Sequence, residues 1–143
     1  MEKEKSAGCV LYRKDNEIKY LILHYESGHW DFPKGHIEEN ETEQDTINRE
    51  VEEETGIKDL TILPNFKEKI SYFFKQNGEL ISKEVIFYLA KTDQEAVKLS
   101  HEHIGYIWLP YDKAIEKLTF KNAKEILSKA NKFLTQNKGL DEF

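Results

Sequence analysis

Cysteine is almost missing from this chain: Cys9 is its only one. A lone thiol excludes an intramolecular disulfide and a cysteine-based zinc site. No apolar run approaches the ~20 residues that span a bilayer, and Met-Glu-Lys-Glu-Lys at the start leads into no secretory-type apolar stretch. A cytoplasmic protein without membrane contact is the simplest expectation. Positive charge is also in short supply, with 21 Lys and Arg against 27 Asp and Glu and a formal charge of −6. That balance argues against a general nucleic-acid or membrane surface. Chain breakers are few, at 3 Pro and 7 Gly, and no repeat or low-complexity linker interrupts the 143 residues. One domain over residues 1–143 is expected, with a full core, and we expect a monomer.

What is present is patterned. Ser6–Tyr12 and Ile18–Tyr25 read as strands around a polar Lys14-Asp15-Asn16-Glu17 turn. Pro33 and Gly35 mark Trp30–Gly35 as a loop. Thr42–Thr55 contains no Gly or Pro. It starts beside two candidate N-caps, Asn40 and Thr42, and stops at Gly56, a good helix C-terminal residue, so a helix is predicted. Further strands are predicted around Asp59–Leu63, Phe66–Phe74 and Leu80–Lys91, the last two joined by an Asn77-Gly78 hairpin turn, and over Ile104–Leu109. From Ala114 to Leu134 the apolar spacing is helical, with a break near Thr119. This order suits an α/β fold, a mixed sheet between helices in an α/β/α sandwich.

The predicted helix carries an unusual charge arrangement. Glu50, Glu53 and Glu54 stand at i, i+3 and i+4 and so share a face, while Glu52 points away. Like charges at i,i+4 repel, and the helix dipole disfavours anions in the last turns. Glu50 has no cation at i±3 or i±4, whereas Asp45 and Glu53 flank Arg49 at i−4 and i+4. Breaking local rules without local compensation points to a functional site. A divalent cation would compensate it, and hard Mg²⁺ or Mn²⁺ prefers carboxylate oxygen completed by substrate phosphates. A solvated acidic face is the ordinary reading of a Glu-rich helix. The spacing argues against it here. Gly35, five residues, Glu41, seven residues, and Arg49-Glu50-Val51-x-Glu53-Glu54-x-Gly56-Ile57 form one framed pattern.

That pattern, residues 35–57, resembles the Nudix box at every fixed position. At ordinary residue frequencies it should arise by chance less than about once per ten million starting positions. The resemblance implies the Nudix sandwich and metal-assisted hydrolysis of a nucleoside diphosphate linked to another group. Trp30-Asp31-Phe32-Pro33-Lys34-Gly35-His36-Ile37-Glu38, Leu99-Ser100-His101-Glu102-His103 with Tyr106, Trp108 and Leu109, and the tail segments Leu118–Lys121 and Lys132–Leu134 resemble the asymmetrical diadenosine tetraphosphate hydrolases, in their animal and archaeal branch. Glu39-Asn40 departs from that group's usual Pro-Gly, and Thr46 and Ile47 stand where small residues are common.

The likeness implies a small-molecule dinucleoside polyphosphate as substrate, ATP and AMP as products, and metal on Glu50, Glu53 and Glu54 with the Gly35 carbonyl. Either Glu50 or Glu102 is expected to activate the water, with Glu54 also in the catalytic set. Arg49 orients the carboxylates, and Glu41, fixed in the pattern, supports the site. Lys34 and Lys83 are expected at phosphate. Tyr72 and Phe120 are expected at adenine, where a π-face grips a flat base, and His29 on the rim. Core packing competes for both aromatics, Phe120 most evenly. His101 and His103 read as loop residues or partners of the site, because imidazole suits Mg²⁺ poorly. Two other enzyme readings keep the box: a nucleoside triphosphate pyrophosphohydrolase that clears oxidised nucleotides, and an RNA 5′-end pyrophosphohydrolase, which the acidic balance disfavours. A nucleotide-sensing domain without catalysis is the reading from another class, and the intact Glu50, Glu53 and Glu54 weigh against it.

Overall fold

The computed structural model describes residues 2–136, so the ends of the expected 1–143 domain lie outside the described residues. The elements run β1 (Glu2–Lys14), β2 (Ile18–Tyr25), β3 (Trp30–Asp31), β4 (Lys34–His36), α1 (Glu43–Thr55), β5 (Thr61–Gln76), β6 (Glu79–Lys91), β7 (His103–Leu109), α2 (Tyr111–Lys117) and α3 (Lys121–Gln136). The expected mixed sheet between helices is what forms. Strand order is β3-β2-β1-β6-β5, with β4 also on β1 and β7 also on β2. β1 pairs parallel with β6 and antiparallel with β2 and β4.

Alternation along β1 builds both faces of the core. Ala7, Cys9 and Leu11 point into a cluster with Ile47 and Val51 of α1, while Val10 and Tyr12 join Ala123, Ile126, Leu127 and Ala130 of α3 on the other side. The long C-terminal helical pattern does break: Leu118 ends α2, and α3 starts at Lys121. α3 packs its apolar stripe into the core, the ordinary use of an amphipathic helix. Among the described residues no helix is long and apolar enough to cross a membrane.

Two strand expectations merge. The runs around Asp59–Leu63 and Phe66–Phe74 form one strand, β5, whose pairing with β6 slips between Ile62 and Lys67. Asn65 there has φ 70°, a left-handed residue inside a strand, which the alternation rule does not anticipate. At the other end Asn77 and Gly78 both take positive φ, as a tight hairpin needs. The Trp30–Gly35 loop also gains order, since β3 and β4 hold it against β2 and β1. Gly8 permits this. A Cβ there would stand 2.6 Å from the Pro33 carbonyl and 2.7 Å from Lys34 Cβ.

Candidate active site

Of the two candidate N-caps, Thr42 is used. Its Oγ1 accepts from the Asp45 N–H at 3.0 Å, and Asp45 Oδ2 accepts from the Thr42 N–H at 3.1 Å, a closed capping box. Asp45 is thus spent on the cap and does not pair with Arg49. Gly56 ends the helix in the left-handed conformation at φ 73°. Between these caps the helix holds its glutamates in register against the Gly35 segment.

The three glutamates differ sharply in environment. Glu54 is buried, at 3% exposure, and Glu53 is exposed. Burial first, then its hydrogen bond to Glu50, pushes the Glu54 carboxyl far above the ordinary carboxylate range. The Lys34 N–H donates to Glu54 Oε1 at 3.3 Å. Gly35 lies directly against Glu50, and a Cβ on it would run into the Glu50 carboxyl. This position needs glycine for close approach, with no demand on φ.

Arg49 organises the acids. Its Nε and Nη2 donate to the two Glu41 oxygens at 2.6 and 2.9 Å, its Nη1 to Glu50 Oε1 at 2.6 Å and Glu53 Oε2 at 3.4 Å, and its Nη2 also to the His36 carbonyl at 2.9 Å. Glu38 adds an ion pair at 3.1 Å. The fork holds Glu41 down to about 2, with help from the Glu38 N–H. Glu50 therefore does have a cation partner, from the adjacent residue, where i±3 and i±4 offered none.

Around this cluster lies an open groove of about 560 Å³ bounded by Lys34, Gly35, Glu50, Glu53, Glu54 and Glu102. Glu102 comes from far along the chain. Its carbonyl accepts from the Glu26 N–H at 2.9 Å, and the neighbouring His103 is buried with Nδ1 3.1 Å from Ser100 Oγ. A second cavity of about 210 Å³ is largely apolar, bounded by Asp31, Lys34, Ile70, Tyr72, Phe87 and Phe120. Tyr72 and Phe120 are exposed at 37% and 44%, so neither is a core aromatic. His29 lines neither cavity and sits between rings, 4.6 Å from Tyr25 and 5.3 Å from Phe120 by centroid. Lys83 is buried beside the groove, its Nζ 3.4 Å from Glu4 Oε1 and 3.2 Å from His36 Nε2. Burial pulls the Lys83 ammonium down, and Glu4 works against that pull.

Two site residues escaped the sequence reading. Asp31, buried at 3%, holds Lys34 Nζ at 3.0 Å and accepts from the Phe32 N–H at 2.8 Å. Its i,i+3 spacing to Lys34 was the available signal. Tyr25 donates to the Phe32 carbonyl at 2.6 Å and stacks on His29, and nothing in a strand-end tyrosine announces that.

The donor set fits a hard divalent cation. Carboxylate oxygens of Glu50, Glu53 and Glu54 and the Gly35 backbone border one groove, and buried Glu54, set against the partly buried Glu50, concentrates acid where Arg49 supplies positive charge. Among the described residues, no three His, Cys, Asp or Glu side chains already converge as a cation cage. Arg49 holds the oxygens of Glu50 and Glu53 instead.

A sandwich in which helix α1, on one face of the sheet, presents paired acids to a glycine-backed groove defines a phosphohydrolase type of site. The NUDIX domain family matches residues 2–130, and the chain belongs to the Nudix superfamily. It is 35% identical to the asymmetrical bis(5′-nucleosyl)-tetraphosphatase of Sus scrofa, over 91% of this chain and 95% of that protein. It is likewise 35% identical to the enzyme of the same name from Caenorhabditis elegans, over 91% and 96%. A crystal structure of a C. elegans Ap4A hydrolase binary complex superposes with a TM-score of 0.82 at 34% identity, covering 93% of this chain and 98% of that one.

Proposed function

We propose that this protein hydrolyses diadenosine tetraphosphate and related dinucleoside polyphosphates asymmetrically, giving ATP and AMP, with Mg²⁺ as its cation and Mn²⁺ as a substitute. The carrying observation is that Lys34 forms part of both cavities, so an apolar, aromatic pocket opens beside the acidic groove. A substrate with a flat base at one end and a polyphosphate beyond it matches that pairing. The tetraphosphatases that resemble the chain over nearly its whole length support the same substrate.

In this reading Tyr72 and Phe120 hold one adenine, with His29 on the rim. Lys34, braced by Asp31, lies at the junction and meets the first phosphates. Lys83 adds positive charge beside His36, next to Gly35. Glu50, Glu53, Glu54 and the Gly35 carbonyl would hold the divalent cation, which supplies charge neutralisation of the phosphoryl oxygens and leaving group. Glu50 or Glu102 takes a proton from water. The water oxygen bonds to the phosphorus of the distal adenosine, the bond from that phosphorus to the bridging oxygen breaks, and ATP leaves with that oxygen. AMP keeps the oxygen from water. Arg49 and Glu41 keep the acids in place, so the chain's contribution is mainly positioning and charge.

With Mg²⁺, chromatography of the products should show equal ATP and AMP from diadenosine tetraphosphate, formed faster than any product from a nucleoside triphosphate. Two equivalents of ADP would rule out asymmetric cleavage. Faster turnover of a triphosphate would move the chain to the pyrophosphohydrolase reading, and tight binding without turnover would make it a sensor.

A further inference from the structure

Residues 93–101 have no regular structure, yet they carry the chain from β6 to Glu102 across the C-terminal end of α1. A helix leaves its last carbonyls without intrahelical partners. Here the crossing segment provides partners. The Ser100 N–H donates to the Glu54 carbonyl at 3.3 Å and the Lys98 N–H to the Thr55 carbonyl at 2.8 Å. Gln94 supplies the next one from its side chain. Its Nε2 donates to the Gly56 carbonyl at 3.3 Å and to the Ala96 carbonyl at 3.0 Å, while its Oε1 faces the Lys58 N–H at 3.5 Å. Two carbonyls on one side and an N–H on the other fix the amide's orientation. From Ser100 the connection reaches Glu102 within two residues, since Ser100 Oγ lies 3.4 Å from the Glu102 N–H.

We infer that Gln94 is a positioning residue: its amide clips the 93–101 segment to the end of the glutamate helix and so sets where Glu102 stands relative to Glu50 and Glu54. The inference rests on the proposed role of Glu102 in the hydrolysis. Gln94 touches neither the groove nor the aromatic pocket, so it acts through Glu102. No other residue in the segment offers both a side-chain donor and a side-chain acceptor to the helix end and its following turn. The segment's other ties are of different kinds: the Lys98 and Ser100 backbone bonds, Val97 and Leu99 packed against the α1-side core, the Asp93 N–H on Asp59 at 3.2 Å, Trp108 Nε1 on the Glu95 carbonyl at 3.0 Å and Arg13 on the Glu95 carboxylate at 3.6 Å.

A double-mutant cycle with amide exchange tests it. In the full chain with Mg²⁺ and diadenosine tetraphosphate, Gln94→Ala is expected to lower kcat about 10-fold, the scale of a sub-ångström to ångström misplacement of a reacting group, with KM unchanged. Gln94→Glu, of nearly the same shape but unable to donate to two carbonyls, should lose as much. In a Glu102→Gln background, Gln94→Ala should cost nothing more, because the residue it positions has already been disabled. Amide exchange at Lys98 and Ser100 should speed up in Gln94→Ala. Losses that multiply across the cycle, or exchange unchanged beside an impaired Glu102→Gln, overturn the inference. A fully active Glu102→Gln overturns instead the role of Glu102 on which it rests, and a wild-type protein that leaves the dinucleotide intact overturns the proposed substrate.

Discussion

Glu54 concentrates the contradiction of the site, because its carboxyl, nearly inaccessible to water and without a side-chain cation among the described residues, sits against the carboxyl of Glu50. Its proton affinity is raised in the fold above the ordinary value near 4.5. The folded chain thus binds more protons than the unfolded one above that value, and stability without metal falls as pH rises through the window above it. Gln at this position keeps the shape and removes the titration. Glu54→Gln should therefore match the wild type in metal-free thermal stability at about pH 4.5, in the ordinary carboxylate range, and exceed it by a few degrees at about pH 8, by circular dichroism melts. The same variant should lose essentially all Mg²⁺-dependent hydrolysis while folding normally. Large residual activity would mean the cation is held elsewhere. The sequence showed this tension through the like charges at i,i+4. It could not show that Arg49 answers it from i−1 of Glu50, because that contact depends on the guanidinium being braced by Glu41 and the His36 carbonyl.

At the scale of elements, α1 is legible almost to the residue. Glycine-free, proline-free sequence between a Thr cap and a Gly stop leaves few alternatives, and the structured helix runs Glu43–Thr55. Its stability at the start depends on the reciprocal Thr42–Asp45 bonds. Thr42→Ala should cost about 1 kcal/mol in urea unfolding with little change in KM, since the cap lies at the opposite end from Glu53 and Glu54; a neutral result would mean the box adds nothing to the fold. β5 was the least legible element. Its pairing slips around Asn65, and a strand that contains a left-handed residue breaks the period-2 pattern by which strands are read. The segment at 93–101 was equally silent, since its order comes from helix carbonyls that no local pattern in its own sequence reveals.

Across the whole molecule, the proposed function divides chemistry and recognition between different layers. Glu50, Glu53 and Glu54 come from α1 on one face of the sheet. The aromatic pocket is lined by β5, β6 and the start of α3 on the other, and Lys34, on the short β4 strand, reaches both. That division explains why the box alone left the substrate open: residues 35–57 build most of the groove, while Tyr72 and Phe120 reach the pocket only through the tertiary fold. It also predicts separable kinetics. An exposed ring that stacks one base contributes about 1–3 kcal/mol to binding and does not touch the bond being broken. Tyr72→Ala should raise KM for diadenosine tetraphosphate on the order of 10-fold at nearly constant kcat, the signature of binding shared by ground and transition states. Glu50→Gln should do the reverse, lowering kcat at similar KM. If Tyr72→Ala instead lowered kcat and left KM alone, the pocket would be positioning the reacting phosphate directly, and the two layers would have to be treated as one site.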